Sequence, residues 1–150
     1  MATDVNEYRL NLARKLGADQ AYDVSKVDMV EEVIKETDGL GADVFIEMAG
    51  KEKAINDGFN ALRKGGWASL LGLTPGDVKL DLNDGIIFKG ARVYGINGRL
   101  MFDTWYKMSS LLTSGLDLKP LVTHSFSFEE FEEAFDLVLS GDCGKVILYP

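Results

Sequence analysis

Short, continuous runs of apolar residues alternate with amphipathic stretches along the first two thirds of this 150-residue chain. The runs that we interpret as strands are AYDV (21–24), DVFIEM (43–48), WASLLGL (67–73) and ARVYGI (91–96). Because the longer runs do not alternate apolar with polar residues, they predict strands covered on both faces, as in a parallel sheet flanked by helices. The chain is therefore predicted to be an α/β protein.

The helices between these strands are predicted from apolar residues that recur every three or four positions. Their apolar faces are Tyr8/Leu12/Leu16, Val27/Val30/Val33/Ile34 and Ala54/Ile55/Phe59/Leu62. Glycines are expected to end them, at Gly17, at Gly39–Gly41 and at Gly65–Gly66. Helices and strands thus follow one another in regular order.

The last third of the chain adds two helices and two strands. The helices are marked by Trp105/Met108/Leu111/Leu112 and by Phe131/Phe135/Val138, and the strands by LVTHSF (121–126) and GKVILY (144–149). Ser127 and Glu130 have the spacing of a capping box, in which a hydroxyl and a carboxylate bind exposed helix amides reciprocally. We expect this box to start the last helix and Gly141 to stop it.

Composition excludes several classes of function. The 16 lysines and arginines against 24 aspartates and glutamates give a net charge of −8, which disfavours binding to nucleic acid. No apolar run is long enough to span a bilayer and the start lacks a signal-peptide pattern, so we expect a cytoplasmic protein without membrane contact. With Cys143 and His124 as the single cysteine and histidine, neither a disulfide nor a Cys/His zinc site is expected.

Asp4 is the first candidate for a cofactor contact. In nucleotide-binding α/β domains an acidic residue at the end of the second strand accepts hydrogen bonds from the adenosine ribose and disfavours a 2′-phosphate, so Asp4 favours NAD over NADP. The alternative is structural, because aspartate is a favoured N-cap and Asp4 and Glu7 have capping-box spacing. Both roles are compatible.

Two motifs that suggest chemistry have simpler interpretations. Gly39 and Gly41 form a G-x-G that precedes a strand, whereas a phosphate-binding loop must follow one, so they indicate a turn. Tyr22 and Lys26 have the Y-x-x-x-K spacing of short-chain dehydrogenases, but they straddle a predicted strand end instead of lying on a helix. We interpret that spacing as coincidence.

Backbone segments at the strand ends are the next candidates. Leu71-Gly72-Leu73 and Ile96-Asn97-Gly98-Arg99 each end a predicted strand, and ligands of open parallel sheets bind beyond the carboxyl ends of strands. The same glycines are also compatible with simple turns.

Glu47 is costly to bury without partners, and a structural hydrogen-bond network is its expected role. His124 is expected to be packed and Cys143 not to be a nucleophile.

Several longer segments carry a resemblance to a known family. They are TDVNEYRLNLARKLGAD, DVFIEMAG, LLGLTPGD, IIFKGARVYGINGRLMFDTWYKM, SGLDLKPLVTHSF and GKVIL, of which the G-R-x-x-x-x-T-W-Y run is the most specific. Over essentially its whole length the chain resembles the C-terminal part of a zinc-dependent medium-chain dehydrogenase of the alcohol dehydrogenase family. Within that family it resembles the members that oxidise the hydroxyl of L-threonine to 2-amino-3-oxobutanoate, with NAD as hydride acceptor.

The resemblance implies roles for particular residues. Asp4 matches the ribose-binding acid and Arg9 an adenosine-side contact; Leu71, Gly72, Leu73, Ile96 and Asn97 match backbone segments near the nicotinamide, and Arg99 lies near the cofactor. No residue of this chain matches a catalytic residue or a zinc ligand. The implied zinc therefore belongs to the full-length family enzyme.

The resemblance also predicts an incomplete Rossmann fold, that is, a doubly wound parallel sheet without its first strand and phosphate loop. Residues 1–98 would be the C-terminal part of the NAD-binding domain, and residues 99–150 a segment that returns to the catalytic domain. Such a chain is a fragment, a truncated reading frame or one piece of a split protein, and by itself we expect it to be inactive. The family implies a homotetramer.

Other interpretations remain open at this point. A related polyol or alcohol dehydrogenase is one, because substrate choice depends largely on the domain that this chain lacks. A non-catalytic remnant that assembles through its sheet edge is another, and a nucleotide-binding module without chemistry is a third.

Overall fold

The computed structural model describes residues 1–150, which form seven strands and five α-helices. The strands are β1 (Ala2–Asp4), β2 (Ala21–Asp23), β3 (Ala42–Glu47), β4 (Leu62–Leu70), β5 (Arg92–Gly95), β6 (Val122–Ser127) and β7 (Lys145–Tyr149). The helices are α1 (Glu7–Lys15), α2 (Met29–Glu36), α3 (Glu52–Ala61), α4 (Asp103–Thr113) and α5 (Phe131–Ser140). The predicted α/β class is confirmed.

Every strand pairing is parallel, and the strands form three separate sheets. These are β1–β2, β3–β4–β5 and β6–β7. The chain divides into two compact units, of which the first contains Met1–Val27 and Met101–Pro150 and the second contains Asp28–Leu100. The second unit contains the three-stranded sheet and the first contains the two strand pairs.

The core of the second unit lies between α3 and one face of its sheet. Phe59 is 1% exposed and packs with Ile55, Leu62 and Ala68. The ring of Phe45 on β3 meets the ring of Phe59 edge to face at 5.9 Å. Gly58 allows this approach, because a Cβ at that position would overlap the Phe45 ring. The helix is thereby fixed over the strands that precede and follow it.

The end of α3 differs from the sequence-based expectation. Gly65–Gly66 was expected to end the helix, but α3 ends at Ala61 and both glycines lie within β4. The Lys89 ammonium donates to the carbonyls of Phe59, Asn60 and Leu62, at 2.6, 2.8 and 2.6 Å, and so binds carbonyls around the helix end. Burial lowers the pKa of Lys89. A lysine distant in sequence thus substitutes for the expected glycine cap.

The strands of this sheet also end earlier than expected. WASLLGL was expected to extend to Leu73, but β4 stops at Leu70. The Leu71 amide continues the ladder by donating to the Glu47 carbonyl at 2.9 Å, but the next amide, of Gly72, donates to the same carbonyl at 3.2 Å, so the regular ladder ends there. Similarly, β5 covers only Arg92–Gly95 of the predicted ARVYGI run. The residues just past these strands are therefore loop.

The helices of the first unit lie where they were expected, but their buried faces differ. In α1 the most buried side chain is Leu10, which is 1% exposed, whereas Leu16 of the expected face is exposed. In α5 the buried residue is Ala134, whereas Phe131, Phe135 and Val138 are exposed. A periodic apolar pattern identifies a helix, but which side is covered depends on the neighbouring elements. The expected burial was wrong for Leu16 and for the three apolar residues of α5, whereas Tyr8 and Leu12 of α1 are half-buried.

The capping box before α5 is confirmed. Ser127 and Glu130 bind one another reciprocally, with the Ser127 amide and hydroxyl at 2.8 and 2.9 Å from Glu130 Oε2. These two hydrogen bonds lower the pKa of Glu130. They close a single 3₁₀ turn, Phe128–Glu130, from which α5 continues. The helix ends, as predicted, at Gly141, which has a φ of 81°.

The β3 edge of the three-stranded sheet, like the β5 edge opposite it, has no neighbouring strand. β4 is the central strand, so β3 pairs on one side only. Its Val44, Ile46 and the following Met48 are exposed, with Ile46 61% exposed. A parallel strand with free amides and carbonyls and apolar side chains is a template for a further strand. Such an open edge agrees with the predicted sheet that lacks its first strand.

We predict that the chain associates through β3. Ile46→Lys should shift the sedimenting species toward monomer, because a charge on an edge strand opposes strand pairing. Leu40→Lys, at an apolar and somewhat more exposed site in the turn before β3, is the matched control and should leave the sedimentation profile unchanged. A wild-type monomer whose amides at 43–48 are all protected from hydrogen exchange would contradict this prediction.

Candidate functional site

The carboxyl ends of three parallel strands meet at one edge of the second unit. Glu47 on β3 is in register with Leu70 on β4, and Leu70 is in register with Gly95 on β5. The Ile96 amide continues the pattern by donating to the Leu70 carbonyl at 2.9 Å. The predicted segments Leu71–Leu73 and Ile96–Asn97 therefore lie side by side, at the edge where open parallel sheets bind ligands.

Glycines allow the loops at this edge to pack backbone against backbone. A Cβ on Gly72 would overlap Glu47 Oε2 and the Gly50 amide nitrogen. Gly50 has a φ of 62°, and a Cβ there would overlap the Leu73 carbonyl. Only glycine fits either position without displacing backbone. The alternative that Gly72 merely forms a turn does not account for this packing.

Glu47 is the one buried charged residue, with 2% of its surface exposed. Its Oε1 accepts hydrogen bonds from the amides of Ala49 and Gly50, both at 2.8 Å. Its Oε2 has no hydrogen-bond partner. The expected structural network is present, and it consists of backbone amides.

An open groove lies beside these loops. It has a volume of about 310 Å³ and is lined by Gly50, Lys51, Glu52, Thr74, Pro75, Gly76, Asp77 and Val78. At the sheet edge itself Leu71, Leu73 and Ile96 expose apolar side chains, with Leu73 93% exposed. Arg99 lies further along the same loop as Asn97 and is exposed. An apolar, glycine-lined edge of this kind suits the flat face of an aromatic ring.

Asp4 and Arg9 lie together in the first unit. Asp4 ends β1, and its Oδ1 accepts from the amides of Val5 and Asn6 at 2.8 and 2.9 Å. Its Oδ2 is 3.9 Å from Arg9 Nη1. The N-cap of α1 is Asn6, whose side chain accepts from the Arg9 amide, so the interpretation of Asp4 as the helix cap was wrong. Asp4 instead binds the turn that precedes the cap.

The Tyr22/Lys26 spacing has a structural explanation. Lys26 Nζ lies 2.7 Å from Asp23 Oδ2, and the hydrogen bond to Asp23 raises the pKa of Lys26. Lys26 and the Ser25 hydroxyl and amide together lower the pKa of Asp23 to about 2. The lysine therefore pairs with a carboxylate, as expected for a coincidental spacing. Gly39 and Gly41 both have positive φ in the turn before β3, as predicted.

His124 and Cys143 are packed. His124 Nδ1 lies 2.9 Å from the Thr123 hydroxyl, and its ring stacks on Phe126. Cys143 is buried with its Sγ 3.7 Å from the Leu137 carbonyl. No cluster of three or more His, Cys, Asp or Glu side chains has an arrangement that could hold a metal ion. The residues of this chain thus do not fit a zinc site.

Sequence patterns did not identify every residue at the strand-end edge. Gly50 was not singled out, and its contact with Leu73 depends on a packing between loops that are distant in sequence. The available signal was the order of residues in Glu47-Met48-Ala49-Gly50, where a charged residue ends an apolar strand and small residues follow it.

No helix of this chain has the length and apolar character needed to cross a membrane.

Comparison with known proteins identifies the family. The model of the zinc-binding dehydrogenases matches residues 1–114, and the chain belongs to that family. Among curated relatives, the L-threonine 3-dehydrogenase of Pseudoalteromonas translucida is 49% identical over 148 residues, which cover 97% of this chain and 42% of that enzyme. The L-threonine 3-dehydrogenase of Pyrococcus furiosus is 46% identical over 149 residues, or 98% of this chain and 43% of that enzyme. The chain thus spans less than half the length of these relatives.

Solved structures of dehydrogenases superpose closely on this chain. The 2R,3R-butanediol dehydrogenase from Bacillus subtilis superposes with a TM-score of 0.89 at 26% identity, over 99% of this chain and 43% of its own. An alcohol dehydrogenase from Thermotoga maritima superposes with a TM-score of 0.87 at 29% identity, over 99% of this chain and 42% of its own. The strand-end edge described above therefore belongs to a Rossmann-like dehydrogenase fold.

The packing at Gly72 provides a test of the geometry. Gly72→Ala should lower the free energy of unfolding by about 1–3 kcal/mol, because its Cβ meets backbone that cannot move aside. Gly76→Ala in the same loop is the matched control, since a Cβ there meets nothing within 4 Å, and it should cost less than about 0.5 kcal/mol. Urea unfolding of the two variants measures the difference. Equal losses would contradict the described packing.

Proposed function

We propose that this chain is the cofactor-side part of an NAD-dependent dehydrogenase that oxidises the hydroxyl of L-threonine to 2-amino-3-oxobutanoate. The geometric observation that carries the proposal is the edge where Leu71–Leu73 and Ile96–Asn97 lie side by side, with Gly72 packed against Glu47 and Gly50. The choice of substrate is supported by relatives named L-threonine 3-dehydrogenase.

The residues of the chain have distinct roles in this proposal. Asp4 accepts hydrogen bonds from the adenosine ribose, and Arg9, 3.9 Å from it, contacts the adenosine side. The backbone of Leu71, Gly72, Leu73, Ile96 and Asn97 borders the nicotinamide, with Arg99 near the cofactor. When bound, NAD supplies the hydride acceptor. Glycines and exposed apolar side chains at the edge fit a flat ring and exclude water from it.

The proposal extends to the whole enzyme. Zinc belongs to the proposed full-length enzyme, with ligands outside these 150 residues, because one histidine and one cysteine do not provide a zinc site. We propose a cytoplasmic homotetramer in which residues 1–98 belong to the NAD-binding domain and residues 99–150 join the catalytic domain.

A related polyol or alcohol dehydrogenase is the second candidate. It is supported by the likeness to the structure of a 2R,3R-butanediol dehydrogenase, at 26% identity. Substrate choice between these candidates depends on residues beyond the strand-end edge described here. The two candidates share the cofactor and differ in the alcohol.

A chimeric enzyme tests the proposed function. Residues 1–150 replace the matching segment of the Pseudoalteromonas translucida L-threonine 3-dehydrogenase, with which they share 49% identity. The chimera should oxidise L-threonine with NAD, and the unmodified parent enzyme is the control. A chimera that is folded by circular dichroism but does not bind NADH would contradict the cofactor role. Because substrate choice depends largely on the catalytic domain of the parent, the chimera tests the cofactor role and not the choice of alcohol.

Asp4→Ser should narrow the preference for NAD over NADP. In the chimera the ratio of kcat/KM with NAD to kcat/KM with NADP should fall, because the substitution removes both the ribose acceptor and the charge that opposes a 2′-phosphate. Asp19→Ser, an exposed aspartate in the turn after α1, is the control. An unchanged ratio would leave Asp4 with its turn-binding role alone.

The isolated chain should not oxidise L-threonine, because its single histidine and single cysteine cannot assemble the zinc site that the proposed reaction uses. The measurement is NADH formation by purified 1–150 with L-threonine, NAD and added zinc. Stoichiometric turnover above the buffer blank would overturn this expectation.

A further inference from the structure

Glu47 places a buried carboxylate at a position where the packing of the fold does not require one. It ends β3 at a position that is 2% exposed, where a carboxylate is costly to bury without full pairing. One oxygen, Oε2, has no partner at all. An apolar side chain would fill this position at lower cost, as Phe45 and Leu70 do elsewhere on the same face of the sheet. The carboxylate therefore calls for an explanation other than packing.

The hydrogen bonds of Glu47 connect two loops at the carboxyl edge. Its Oε1 binds the amides of Ala49 and Gly50 after β3, both at 2.8 Å. Its carbonyl binds the amides of Leu71 and Gly72 after β4, at 2.9 and 3.2 Å. One residue thus holds the backbone that follows both strands.

Close packing completes the connection. Oε2 of Glu47 occupies the space that a Cβ on Gly72 would need, and the Leu73 carbonyl occupies the space that a Cβ on Gly50 would need. Gly50 is therefore in close contact with both Gly72 and Leu73. A shift of the carboxylate would allow both loops to move.

We propose that Glu47 is a positioning residue for NAD: its carboxylate holds the Ala49–Gly50 turn against Leu71–Leu73 and so fixes the backbone that borders the nicotinamide. This inference rests on the proposed function. Glu47 touches no reacting atom and acts through Gly50 and Gly72. The carboxylate fixes this backbone before NAD binds, so less conformational entropy is lost on binding.

The test is NADH titration of the chimeric enzyme that carries residues 1–150, with the fluorescence of bound NADH as the readout of affinity. Glu47→Met keeps the length of the side chain and removes the acceptors, and it should raise the Kd for NADH about tenfold. Glu47→Gln keeps one acceptor oxygen for the two amides and should hold the Kd within about threefold of wild type.

Leu62→Ala is the matched control. It truncates a side chain that is 2% exposed in the same sheet, at the opposite end of β4. It should lower the melting temperature and leave the Kd within about twofold of wild type. If Glu47 had a purely structural role, Glu47→Met and Leu62→Ala would both lower the melting temperature and would change the Kd for NADH to the same extent.

The outcomes separate the inference from the proposed function. A tenfold rise for Glu47→Met, rescued by Glu47→Gln and absent in Leu62→Ala, supports it. A Kd that Glu47→Met leaves unchanged, or that rises equally in Leu62→Ala, overturns the inference and leaves the proposed function intact. Failure of the chimera with wild-type residues 1–150 to bind NADH overturns the cofactor role itself and the inference with it.

Discussion

The parallel pairing of β3, β4 and β5 is the constraint on which the candidate site depends. Parallel strands must be connected by a crossover, and α3 supplies it between β3 and β4. Because the three strands run in one direction, the loops after them all emerge at the same edge. Glu47, Leu70 and Gly95 mark that edge in register. The loops that follow them are neighbours for this reason and not because of any sequence motif.

The edge depends on small residues as much as on large ones. Gly58 lets α3 approach Phe45, and Gly72 leaves the space that Glu47 Oε2 fills. The contacts that result are between backbone groups, or between a carboxylate and backbone amides. A site of this construction presents its shape through main-chain atoms. Such a surface suits a cofactor ring whose recognition depends on close approach more than on charged side chains.

Both strands of the β1–β2 pair end with an aspartate, and the two aspartates are held in the same way. Asp4 and Asp23 are register partners, and each accepts from the backbone of the turn that follows it. Each also faces a cation, Arg9 for Asp4 and Lys26 for Asp23. The pairs differ in closeness: the Lys26–Asp23 distance is 2.7 Å, whereas the Arg9–Asp4 distance is 3.9 Å. Asp4 Oδ2 is therefore less tightly paired than Asp23 Oδ2, which suits Asp4 to its proposed role of accepting hydrogen bonds from the adenosine ribose.

Local patterns determined the order of helices and strands, the parallel character of the sheet and the segments at its carboxyl edge. The continuous runs around Phe45 and Ala68, the Ser127–Glu130 box and the stop at Gly141 are properties of adjacent residues, so they can be predicted without a structure. The end of α3 and the buried sides of α1 and α5 depended on tertiary structure. Lys89 reaches the end of α3 from 27 to 30 residues away, and Ala134 rather than Phe135 is covered in α5. The proposed role of Glu47 combines both kinds: its carboxylate binds the nearby amides of Ala49 and Gly50, but its close approach to Gly72 exists only because strand pairing brings the two loops together.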